Sequence, residues 1–232
     1  MSNIFITIGV DCGSRSSLSI IKLFNGSYPF DDKICNEKSI ILTLKDDFKD
    51  FLNIEYFTFK NNDFFRPINK YGIVLDHLYG INIYDTISKN EIYNNTKKKI
   101  ENDKNNECIY KKCRVINSNW LEQHIKNIVP KIERRINRFR KVFEDKNKIF
   151  LWRYANLSKN ACIEINNILN KRYKNFKLRI IIIHWYNSNI NIPETNLYNL
   201  DYVEKYYFDI SKNHSEQWAL IKVDLNKKYN LY

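Results

Sequence analysis

Residues 178–185, LRIIIIHW, set four isoleucines side by side with no polar residue between them. A strand exposed on one side alternates apolar and polar residues. A β-branched run without alternation therefore suits a strand covered on both faces, as in a parallel sheet between layers of helix. Parallel strands cannot be joined by a hairpin and need a long crossover, usually helical. This one segment predicts an α/β fold, and its neighbours agree. Residues 4–10 (IFITIGV) and 149–152 (IFLW) are two more short apolar runs. The first is followed by Asp11-Cys12-Gly13-Ser14 and then by helical spacing over 16–24, where Leu18 and Ile21 recur and Gly26 stands as a stop. The second is followed by Ser158, a good N-cap, and a helix to about residue 173 with Ala161, Ile165, Ile168 and Leu169 as its inner face. The expected architecture is a mostly parallel sheet flanked by helices.

Ahead of the second run, residues 118–143 repeat Leu121, Ile125, Ile128, Ile132, Ile136, Phe139 and Phe143 on one helical face, and Pro130 is expected to kink or divide that helix. Arg134, Arg135, Arg138 and Lys141 fall largely off the stripe, facing solvent or a ligand. The net charge of +12 is concentrated here, with thirteen Lys/Arg against four acids over 111–153. Such a surplus can serve a polyanion, but a charged helix face is also ordinary surface, so nucleic acid is not the favoured partner. Residues 88–106 are Asn/Lys-rich and weakly patterned, an expected loop or flexible insertion in a single domain spanning 1–232. No apolar run approaches the roughly 20 residues that cross a bilayer, and the start lacks a basic signal-like segment. The expectation is a cytoplasmic protein without a membrane partner. Five cysteines, an odd number, do not suggest disulfides, and Cys108 and Cys113 lack zinc-ligand spacing. No metal or cofactor is expected.

Cys12 carries the most chemical information. A thiol between a strand and a helix start faces unsatisfied N–H groups that favour the thiolate. Small neighbours, Gly13 and Ser14, leave room for a carbonyl and can present N–H groups to an oxyanion. The bland alternative is a small buried residue closing a turn. A catalytic thiol needs a base. His77 follows an expected strand at 71–75, and His184 ends the isoleucine run at the carboxyl edge of the sheet, where ligands bind in such folds. His124 sits in the basic helix and His214 in a polar loop. His77 and His184 both remain candidates.

Six segments, taken in order, resemble the putative papain-like cysteine peptidase family of bacteria and large DNA viruses. Residues 5–12 (FITIGVDC) resemble its opening strand and cysteine, 27–31 (SYPFD) its Pro-Phe-Asp segment, and 46–52 (DDFKDFL) the helix after it. Residues 71–77 (YGIVLDH) resemble its His-Asp segment, 134–139 (RRINRF) its arginine-rich helix, and 149–153 (IFLWR) its strand ending in arginine. Asp32 and Leu78 depart from the family's usual Trp and Asp. The resemblance implies Cys12 as nucleophile, His77 as base and Asp31 as orienting acid, acting on an acyl or peptide substrate. It also sets Arg153 at the edge of the sheet with Arg135 or Arg138 as a site for an anionic ligand; an ion pair or a buried carbonyl is the alternative use of these arginines. A Cys/His acyltransferase or thioesterase, or a non-enzymatic viral binding module in a host cytoplasm, are the competing readings.

Overall fold

The computed structural model describes residues 2–9, 13–31, 33–53, 56, 58–60, 63–74, 109–186, 188 and 198–231. The expected loop at 88–106 lies outside them. Two compact units are present, one formed by Met1–Asp32 with Arg135–Tyr232 and the other by Lys33–Arg134.

The first unit is built on a four-stranded sheet of β1 (Asn3–Thr7), β4 (Lys148–Arg153), β5 (Lys177–Tyr186) and β6 (Val203–Asp209), in that spatial order. Every pairing is parallel, with Phe5 opposite Phe150, Leu151 opposite Ile180, and His184 opposite Tyr207. Four fully buried isoleucines, Ile180 to Ile183, make β5 two-sided, as the isoleucine run requires. One face carries Phe5, Phe150, Trp152, Ile181 and Ile183 against Leu18 of helix α1 (Gly13–Ile20) and Trp218, Ile221 and Leu225 of α5 (His214–Tyr229). Strand alternation turns Ile6, Ile149, Leu151, Ile180 and Ile182 the other way. Helix α4 (Lys159–Arg172) joins β4 to β5 and contributes buried Ala161, Cys162, Ile165 and Leu169. Its N-cap is Ser158, which accepts from the Ala161 N–H at 3.2 Å.

In the second unit, α2 (Glu37–Lys45) starts at Asn36, whose side chain accepts the Ser39 N–H. Strands β2 (Thr58–Lys60) and β3 (Asp63–Ile68) form an antiparallel pair. The segment 46–52, expected as a helix, is a run of turns. Asp47 and Phe48 both adopt left-handed φ, 50° and 63°, which stops α2 at Lys45. Tyr71 Oη joins this turn, donating to Asp46 and accepting the Asp50 N–H, while Lys70 bridges both carboxylates.

Helix α3 runs unbroken from Ile109 to Glu144 with Pro130 inside it, so the expected division at the proline does not occur. Ile128, Ile132, Ile136, Phe139 and Phe143 are buried as the stripe required. Arg135 is buried too, against expectation; lying three residues beyond Ile132, it rotates onto the edge of the stripe. The expected strand over 71–75 reduces to bridges at Val74, to Ile34 and Ile68, because Asn69 closes a tight turn through Tyr71 and Ile73.

Candidate active site

Strand β1 delivers its carboxyl end to a junction that several other segments hold in place. Ile8 and Gly9 follow the strand, and α1 opens at Gly13. Cys12 lies between them, outside the described residues, as do His77 and Asp76. Gly9 has φ +46°, a left-handed value that glycine adopts without penalty. Arg153, at the end of β4, donates through Nη1 to the Ile8 carbonyl at 2.8 Å and to the Gly9 carbonyl, and through Nε to the Asn156 carbonyl. The guanidinium is buried, and these bonds supply the polar partners that burial demands.

Asp31, also buried, receives the Thr7 hydroxyl on one carboxylate oxygen and the Tyr28 N–H at 2.8 Å on the other. The segment at 27–31 is thus closed on itself and tied to the last residue of β1. Arg138 reaches the same segment from α3, donating to the Ser27 carbonyl at 3.0 Å, and Phe139 meets Phe30 edge to face. Gly26 makes the approach of Arg138 feasible: its φ is +151°, and a Cβ there would lie 3.2 Å from Arg138 Nη1. Burial pushes the Tyr28 hydroxyl up to about 12, with Arg138 opposing and Asp31 adding to the shift. On the inner side of α1, Ser17 accepts from Trp152 Nε1 at 2.8 Å and donates to the Ser14 carbonyl, fixing the helix to β4.

The structure therefore brings together Asp31, Arg138 and Arg153 around the end of β1, with Arg135 buried one residue from Ile136 on α3. His184 stands on β5, half-buried, with its ring edge against Tyr207 and, among the described residues, no hydrogen-bond partner for its Nδ1. Burial first, and Lys205 second, hold its imidazole below the ordinary histidine range. Thr7 was not a sequence candidate. Its one signal was position: a hydroxyl in an apolar strand, two residues before a glycine. Among the described residues no cluster of His, Cys, Asp and Glu could hold a metal.

A four-stranded parallel sheet flanked by helices defines an α/β protein. The chain belongs to the family described as "Putative papain-like cysteine peptidase (DUF1796)", whose model matches residues 3–188. No curated protein and no solved structure matches the chain. Among the described residues, no helix is long and apolar enough to cross a membrane.

Proposed function

We propose that the chain is a thiol-dependent hydrolase of peptide or related acyl substrates. Cys12 attacks the carbonyl, His77 takes its proton and returns it to the leaving group, and Asp31 is the acid that orients the base. The N–H groups at the start of α1, from Gly13 onward, hold the oxyanion. The observation that carries this reading is the convergence at the end of β1: Arg153 fixes the two carbonyls before the cysteine turn, and Asp31 is locked to Thr7. A nucleophile works best beside a fixed backbone, and these contacts fix Thr7, Ile8 and Gly9 ahead of Cys12 in sequence. Through these carbonyl bonds Arg153 positions the residues that follow β1, and Arg135, Arg138 and Arg153 remain the candidates for a substrate anion.

Alkylation with iodoacetamide followed by peptide mapping tests the assignment. Cys12 should label at least tenfold faster at pH 6 than Cys35 and Cys162, which are buried, and faster than Cys108 and Cys113. His77→Ala should remove that advantage and His184→Ala should leave it. Protection of Cys12 while the others label would overturn the nucleophile, and loss only in His184→Ala would transfer the base to His184.

A further inference from the structure

The α4-side face of β5 and β6 carries a second group of polar side chains that the thiol chemistry does not use. β6 ends the sheet and pairs only with β5. Because Ile182 is opposite Lys205 and His184 opposite Tyr207, alternation brings His184, Lys205 and Tyr207 to one face. Lys205 Nζ lies 5.0 Å from the ring centre of Tyr198 and 5.4 Å from that of Tyr207. Cys162, buried on α4, is near enough to act on this ammonium electrostatically. Among the described residues no carboxylate lies within ion-pair distance of Lys205, and the two aromatic rings are its partners. Among the described residues, then, a half-buried ammonium with no counter-anion shares a face with an imidazole whose buried Nδ1 has no hydrogen-bond partner.

From this juxtaposition we infer that His184 and Lys205 bind a ligand carboxylate between them, with Tyr198 and Tyr207 as side walls. The planar anion takes Lys205 Nζ–H on one oxygen and a ring N–H of His184 on the other. The charge balance selects the ligand. With the imidazole neutral, the site presents one positive charge, which a monoanion neutralises; a phosphate dianion would leave surplus negative charge among aromatic walls. Burial, and secondarily Lys205, lower the imidazole from the ordinary histidine range, and burial lowers the Lys205 ammonium against a smaller opposing effect of Cys162. This role rests on His77 being the base of the thiol chemistry, which leaves His184 free for it.

Histidine-selective 1H–15N spectra of the full chain, assigned with His184→Gln, provide the test. N-acetylglycine at millimolar concentration should shift the His184 ring signals saturably, while the neutral N-acetylglycinamide should leave them in place. Lys205→Met should weaken the response at least tenfold, with the His124 and His214 signals reporting that the fold is intact. An equal response to the amide, a stronger one to inorganic phosphate, or full response in Lys205→Met would overturn the site. The contrast of acid and amide in the unaltered chain decides the matter even if the variant fails to fold. Protein alkylated at Cys12 should respond as before; loss of the response there would place the carboxylate at the thiol instead.

Discussion

Arg153 carries out in the structure one of two jobs that the sequence could only pose as alternatives. An arginine after an apolar strand suits either an anion or a buried carbonyl, and its donors go to the carbonyls of Ile8, Gly9 and Asn156. Arg153→Met keeps much of the volume but leaves those carbonyls buried without their donor, so stability should fall by about 2–3 kcal/mol, measurable by denaturant unfolding. Arg153→Lys, with one ammonium in place of a fork, should recover only part of the loss. An unchanged midpoint in Arg153→Met would mean that the guanidinium does not hold the turn. Asp31 was legible as a candidate because it sits in a Pro-Phe-Asp segment. Its tie to Thr7 was not, since nothing in a local pattern links residues 24 positions apart.

At the level of elements, legibility followed burial. β5, β4 and α4 were readable because two-sided burial and a clean inner stripe leave periodic marks in sequence. β6 and α5 were not anticipated. β6 (VEKYYFD) is half-exposed over most of its length, and α5 leaves Leu220 and Val223 in solvent, which blurs its apolar stripe. Besides the packing of Phe208 on Trp218, polar contacts fasten α5 to β6: Tyr206 Oη donates to Asp224 at 2.6 Å, Lys228 bridges Asp224 and Glu204, and Tyr229 Oη donates to Glu204. Burial alone would raise the Asp224 carboxyl, but hydrogen bonds from Lys228 and Tyr206 outweigh it and hold the group below the ordinary carboxylate range. A depressed folded value means stability present above the unfolded value and lost as pH falls through the folded one. Unfolding of the parent chain should therefore become easier below about pH 4. Asp224→Asn should cost about 1 kcal/mol or less at pH 7 and lose that part of the acid sensitivity, as followed by tryptophan fluorescence. Equal acid slopes in the two proteins would remove Asp224 from the fastening.

Over the whole molecule, the sheet is discontinuous in sequence. β1 comes from the first residues, while β4, β5 and β6 all follow residue 147, and the second unit occupies the chain between. The parallel pattern was legible because each strand carries its own signature; the long detour was marked only by the polar tract at 88–106. Ile8 and Arg153, which meet just past the end of β1, are 145 positions apart. Contacts so distant are entropically slow to close and add nothing until both ends exist. A fragment ending at residue 146 should accordingly leave the amides of residues 3–8 exchanging at unstructured rates, whereas the full chain protects them; protection in the fragment would show that β1 finds another partner. The same separation has a consequence during synthesis. At roughly 5–20 residues per second, the segment IFITIG emerges roughly 7–30 s before its partner strand is made. For that interval an apolar strand bearing one future edge of the sheet waits unpaired in the cell. The nascent chain is then a substrate for any chaperone that reads short apolar runs.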